Sequence, residues 1–270
     1  IATALGGSPI SRWSADGGLY NNMLSRLNDC GGKCAGILWY QGCADTDQMA
    51  QALAYKENYY SLIERTRKDL GYNVPFFTCQ LNRYAEGLYD HAWGMVREAQ
   101  RLAARELELV YVLPTIQCSL GDGIHNNAVS NVALGERLAR LCGSILCKTA
   151  SYAAPDIERA VLVENEALAV TFRNVTQGFV LAGKKAEPYG FTVEDKAGNV
   201  PVRRVYSCTE KEDRLYLELE RPVCGDGYLS FAWEALPAFL LPLDKVTHLP
   251  PLAFYKVPVE DECKNTLQHV

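Results

Sequence analysis

The sequence predicts an α/β protein: a parallel sheet covered by helices on both faces, followed by a smaller β-rich domain. Three observations predict it. Short apolar runs alternate with longer helix-patterned stretches through the first part of the chain, the rhythm of strands joined by crossover helices. Past residue 150 the apolar period drops to two, the period of half-buried strands. Glycines and polar residues gather where apolar runs end, which is where open parallel sheets build their sites. The expected organisation is an α/β domain over residues 1–150 and a β-rich, sandwich-like domain with a C-terminal tail over residues 151–270.

The elements follow in order. Ala35–Tyr40 is an apolar run preceded by the turn pair Gly31–Gly32 and reads as a buried strand. Thr46 or Asp47 caps a helix running to Leu70, with apolar positions Met49, Leu53, Leu62, Ile63 and Leu70, and Gly71 suits its C-terminal cap. Val74–Cys79 is a short strand, Trp93–Arg105 a helix and Leu107–Leu113 another strand. Asn126–Cys147 is a helix with Val129, Val132, Ala133, Leu138, Leu141, Cys142 and Ile145 on its apolar stripe. Ser151–Asp156 is a linker. Beyond it Ala160–Glu164, Ala167–Phe172, Phe191–Glu194, Leu215–Leu219 and Tyr228–Trp233 read as strands, and Asp195–Asn199 and Gly225–Gly227 as turns. The tail from Leu236 is apolar and rich in proline, and is expected to pack back onto the first domain.

The composition excludes several classes. The 27 Lys and Arg are interspersed with 32 Asp and Glu, for a net charge of −5, so no basic nucleic-acid footprint is present. No run is long and apolar enough to span a bilayer. The 10 cysteines form no CxxC pair, and Cys30 and Cys34 have no matching second pair, so no metal site is expected. Cysteines inside apolar runs favour a reducing, cytoplasmic compartment. The opening at Ile1, on a Gly-rich segment unlike a signal peptide, reads as a processed chain or as part of a longer protein.

Three segments are expected to converge at strand ends: Leu5–Ile10, Trp39–Asp45 and Ser119–His125. Asp122 and His125 bracket Gly123–Ile124 just before a helix. A turn of that length lets the carboxylate accept from Nδ1–H of the imidazole, leaving Nε2 free as a base. The bland alternative is a capping Asp beside a surface histidine. Gln41 follows its strand directly, and its amide could meet a developing oxyanion while Gly42 permits close approach; a turn amide is the plain alternative. Gly7 could supply a backbone N–H to the same oxyanion. Trp13, Trp39 and Tyr40 stand beside these segments as pocket walls or as core. Ser8, Cys43 and Ser119 remain open as nucleophiles, because no G-x-S-x-G elbow exists. His91, His248 and His269 read as structural, substrate-side or tail residues.

Taken together, Gly6–Trp13 (GGSPISRW), Trp39–Asp45 (WYQGCAD), Trp93–Gln100 (WGMVREAQ) and Asp122–His125 with Gly135–Ala139 (DGIH, GERLA) resemble the sialate O-acetylesterase family of the SGNH (GDSL-like) hydrolases. The resemblance covers roughly residues 1–150. It implies a three-layer α/β/α esterase domain with a β-rich accessory domain, acting without cofactor or metal on O-acetylated sialic acid or a related acetylated sugar. It implies His125 and Asp122 as catalytic, Gly7 and Gln41 as oxyanion donors, and Ser8, Gly42, Cys43, Asp45, Trp13 and Trp39 as supporting or substrate-side residues. The family's GQSNM-like serine block has no counterpart here. Cys43, Ala44 and Asp45 stand where Glu, Ser and Asn are usual. The resemblance therefore implies that the serine-bearing strand and helix lie outside this chain, on a second polypeptide or past a break. Losing an interior strand would leave two buried edges unpaired. Arg12, Arg83 and Arg97 are candidates to meet a sialic-acid carboxylate. The rival readings are a non-catalytic carbohydrate-binding or structural relative, and a cysteine-based hydrolase using Cys43.

Overall fold

The computed structural model describes residues 1–163, 166–183 and 188–261. The chain separates into two compact units. One is Ile1–Tyr152 with Glu234–Leu236, and the other is Ala153–Trp233 with the chain from Pro237 onward.

The first unit runs α1 (Gly18–Asp29), β1 (Ile37–Trp39), α2 (Met49–Leu70), β2 (Phe76–Cys79), α3 (Asp90–Glu106), β3 (Val110–Leu113) and α4 (Ala128–Leu146). The three strands form one parallel sheet in the order β1-β2-β3, with Ile37 opposite Phe76 and Phe76 opposite Val110. All four residues of β2 are buried, as expected for a strand covered on both faces. The core is aromatic. Trp39 stacks on Tyr59 at 6.3 Å, and Trp13 meets Trp39 edge-on at 5.1 Å; such pairs each add about 0.5–1.5 kcal/mol beyond area burial. Helix α3 buries Trp93, Val96, Arg97, Gln100 and Ala103, one face at helical spacing.

Three expectations change here. Helix α1 was not anticipated, because GLYNNMLSRLND is rich in Asn and Gly-led, and no side chain caps it at Gly17. The stripe expected on α4 is only partly the packed one. Ser130, Leu134 and Leu141 are buried, whereas Val129 and Val132 are 77% and 66% exposed. The three strands are also contiguous, so no gap opens inside the sheet; the unpaired positions are its two edges.

The second unit contains β4 (Asp156–Leu162), β5 (Ala167–Arg173), β6 (Phe179–Val180), β7 (Phe191–Asp195), β8 (Gly198–Val200), β9 (Val202–Cys208), β10 (Lys211–Leu219), β11 (Gly227–Phe231), β12 (Leu243–Asp244) and β13 (Phe254–Glu260). Eight of them make one sheet in the order β8-β7-β11-β13-β4-β5-β10-β9, and β6 pairs with β12 apart. Strand β7 lies against β9, so the sheet curls on itself rather than forming two stacked sheets. Leu168, Val170 and Phe172 of β5 and Leu215, Leu217 and Leu219 of β10 face its interior, the alternation that marked these strands in the sequence. Glu164, the expected last residue of the first strand, lies outside the described residues, as do Cys263 and His269.

The tail does not behave as expected. Only Glu234–Leu236 groups with the first unit, where Ala235 is part of the core and accepts from Tyr84 N at 2.8 Å. Strand β13 instead sits inside the sheet of the second unit, antiparallel to β11 and parallel to β4. Pro258 within it donates no ladder bond. The strand forms because Phe254 is fully buried against Phe231, with ring centroids 5.8 Å apart.

Candidate active site

Two groups of residues stand at the carboxyl ends of the parallel strands. The first is the turn that follows β3. Asp122 Oδ1 accepts from Ile124 N at 2.8 Å and His125 N at 2.7 Å, while Oδ2 lies 2.8 Å from His125 Nδ1. One carboxylate thus shapes the turn with one oxygen and orients the ring with the other. Gly121 N donates to His125 O and Asn127 N to Ser119 O, closing the loop into a small antiparallel bridge. Asn127 then caps α4, accepting from Ser130 N at 2.8 Å. The backbone N–H of His125, then that of Ile124, then the ring itself hold the Asp122 carboxyl well below the usual carboxylate range. The pair is open to solvent, with side chains 79% and 58% exposed.

The second group joins the loop before α1 to the loop after β1. Gln41 Nε2 donates to Ser8 O at 3.0 Å and to Asp45 Oδ2 at 2.5 Å. Asp45 is buried and also accepts from Ile10 N at 3.0 and 3.1 Å. Burial raises its pKa, and the bonds from Gln41 and Ile10 N oppose that shift. Gly42 is required where it stands: its φ is +140°, and a Cβ would meet Val96 at 3.0 Å. Gly7, at φ +65°, points its N–H at no acceptor in the described chain.

Both amide hydrogens of Gln41 are committed, so an oxyanion role requires one to be released when an acyl group binds. Ser8 is buried, donates to Leu5 O at 2.8 Å and accepts from Trp13 Nε1 at 3.2 Å, which is a loop-fixing role. Trp13 and Trp39 are core residues beneath the loops. Burial pushes the Cys43 thiol up to about 11, which keeps it protonated near neutrality and a poor nucleophile. His91 lies in the first turn of α3, and His248 in the second unit. Arg97 is fully buried and donates to the carbonyls of Leu81, Asn82 and Glu234. Arg83 is buried against Cys118 O, and Arg12 is exposed.

Sequence reasoning missed the supports. Gln100 donates to Gln41 O at 2.9 Å and accepts from Leu81 N at 3.0 Å, tying the ends of β1 and β2 to α3. Asn82 Nδ2 donates to Asn126 Oδ1 at 2.6 Å, and Ala85 N to Gly123 O at 2.7 Å, tying the loop after β2 to the Asp122–His125 turn. The signal was available in WGMVREAQ, where Arg97 and Gln100 fall on the same helical face as Trp93 and Val96. Polar residues at such positions are retained where loop backbone must be satisfied.

A parallel sheet with an Asp–His turn past its last strand is the frame of an SGNH-like hydrolase. The chain belongs to the carbohydrate esterase, sialic acid-specific acetylesterase family, whose sequence pattern matches residues 1–144. It is 31% identical over 150 residues to a probable carbohydrate esterase of Arabidopsis thaliana, covering 54% of this chain and 56% of that protein. Its fold is shared with a carbohydrate acetylesterase from Xanthomonas citri, with a TM-score of 0.73 at 22% identity over 87% of this chain and 53% of the other. The chain thus spans about half the length of the relatives it matches. Among the described residues no helix is long and apolar enough to cross a membrane.

Proposed function

We propose that this chain supplies the histidine, its carboxylate and an oxyanion donor of a carbohydrate O-acetylesterase, acting on O-acetylated sialic acid or a related acetylated sugar. The carrying observation is the 2.8 Å contact between Asp122 Oδ2 and His125 Nδ1, with the ring open to solvent. His125 Nε2 takes the proton from a serine hydroxyl as the serine oxygen attacks the acetyl carbonyl. The oxyanion forms beside the Gly7 N–H, and Gln41 holds that loop or joins as a second donor. Collapse of the tetrahedral intermediate expels the sugar oxygen, which takes the proton from Nε2. Water then attacks the acetyl-serine with the same histidine as base, and acetate leaves.

The serine comes from a polypeptide segment outside these 270 residues. Support for this lies in the commitment of Ser8 to Leu5 and Trp13. Cys43 is half-buried and its thiol is pushed up to about 11, which weighs against a cysteine nucleophile. The test is acetate release from p-nitrophenyl acetate and O-acetylated sialic acid by the complete esterase. His125→Ala is expected to reduce turnover by about 10²–10⁴-fold with the fold intact; an undiminished rate rejects the reading.

A further inference from the structure

The loop that joins β2 to α3 stands at the same end of the parallel sheet as the Asp122–His125 turn, because all three strands run in one direction. Two bonds tie it to that turn, from Asn82 Nδ2 to Asn126 Oδ1 and from Ala85 N to Gly123 O. Past Ala85 the loop turns tightly: Gly87, at φ +64°, donates its N–H to Tyr84 O at 3.0 Å. Tyr84 stacks on Trp93 at 6.0 Å, and its hydroxyl donates to Glu86 Oε2 at 2.6 Å. The base of the loop is thus anchored, and one exposed carboxylate on it is held in place.

The outer part of the loop has another character. Leu88 and Tyr89 both reach into solvent. Tyr89 is also strained. Its φ of +63° and ψ of +36° form a left-handed conformation that a bulky residue rarely adopts, and its side chain makes no capping bond to α3, which it precedes. Burial offsets little of this strain, since Tyr89 is 53% exposed. Glycine or asparagine would hold the same backbone at lower cost. What tyrosine adds at this position is an exposed ring, four residues from the bond to Gly123.

We infer that Tyr89 forms a sugar-stacking subsite beside His125. Its ring and Leu88 take the C–H face of the sugar that carries the acetyl group, and Glu86 accepts from a sugar hydroxyl with the oxygen that Tyr84 leaves free. This rests on the function proposed above. A pyranose has a face of C–H groups and a rim of hydroxyls, and the loop sets an aromatic and aliphatic surface next to a fixed carboxylate. Because Asn82 and Ala85 join the loop to the turn that carries the imidazole, a sugar held on the loop keeps its register with His125. An ester without a sugar makes none of these contacts, so the subsite acts on the choice between esters.

The test compares kcat/KM for acetate release by the complete esterase from O-acetylated sialic acid, from a mono-acetylated methyl glucoside and from ethyl acetate, which has no sugar. Tyr89→Gly is expected to lower the ratio of sugar ester to ethyl acetate by about three- to tenfold, through KM rather than kcat. Its thermal midpoint holds or rises, because the left-handed strain is relieved. Tyr89→Phe keeps the ring and is expected to keep the ratio. An unchanged ratio in Tyr89→Gly overturns the subsite, as does an equal loss in Tyr89→Phe. A ratio that falls together with the thermal midpoint assigns Tyr89 to the fold and overturns it too. If the unsubstituted esterase releases no acetate from any of the three, the esterase reading fails, and the subsite is decided by saturation-transfer NMR of the two sugar esters with the 270-residue chain. Transfer to the sugar C–H protons that is lost in Tyr89→Gly keeps the subsite; no transfer, or transfer that survives the substitution, overturns it.

Discussion

Two aspartates head turns of the same design in this protein and serve different ends. Asp122 accepts from the backbone N–H two residues on and faces an imidazole. Asp195, at the β7–β8 turn of the second unit, also accepts from the N–H two residues on, that of Ala197 at 2.8 Å, but faces a guanidinium. Arg221 donates to it twice, at 2.5 and 3.0 Å, and Cys224 N adds a bond at 2.8 Å. Both carboxyls are held well below the usual range: Asp122 first by the N–H of His125, Asp195 first by Arg221. The backbone chemistry is shared, and the partner decides the use. Arginine cannot exchange a proton near neutrality, so Asp195 closes a hairpin. Histidine can, so the Asp122 turn can orient a base.

That contrast can be broken in several ways. The largest expected effect is on activity. In the complete esterase His125→Ala lowers acetate release by about 10²–10⁴-fold, whereas Arg221→Ala leaves the rate unchanged. Equal losses in the two variants would show that both turns act only through the fold. Next, Asn127→Ala removes the cap of α4 and is expected to cost about 1 kcal/mol in urea denaturation. It also lowers activity, because α4 begins directly behind the His125 turn; a stability loss with unchanged activity would uncouple the turn from its helix. In thermal unfolding, Asp195→Ala is expected to lower the midpoint more than Asp122→Ala, since it removes both a bidentate arginine pair and the Cys224 bond.

The smallest effect is a pH dependence. Both folded carboxyls titrate below their unfolded value of about 3.9. Their stabilisation is therefore present above that value and is lost as pH falls toward the folded values. Asp195→Asn should flatten the acid limb of the unfolding midpoint between about pH 4 and pH 2; an unchanged limb would remove Asp195 from the account. Asp45 carries the opposite sign, since burial raises it. Its ionisation in the folded state becomes a stability cost as pH rises from its unfolded value, a trend that Asp45→Asn should abolish.

The sequence made the Asp122–His125 turn legible because all its geometry is local: three residues of spacing, two glycines and a following helix. The strands β5 and β10 were legible for the same reason, through alternation within one segment. What was not legible depends on distant partners. Nothing within Phe254–Glu260 announces that it lies between β11 and β4. Helix α1 has weak intrinsic propensity and is held by Tyr20 and Leu27 in the core. Val129 and Val132 fit an apolar stripe by spacing, yet packing selects Leu134 and Leu141. The support from Gln100 needed the ends of two strands in view at once. The committed amide of Gln41 needed a third segment, the loop bearing Ser8.

The steering of one ring nitrogen by Asp122 is measured most directly by two-bond ¹H–¹⁵N correlation spectroscopy of the His125 side chain in the intact chain. The account predicts a neutral form protonated at Nδ1, with Nε2 bare, that reverts toward the opposite tautomer in Asp122→Ala. A neutral ring protonated at Nε2 in the unsubstituted protein would contradict it.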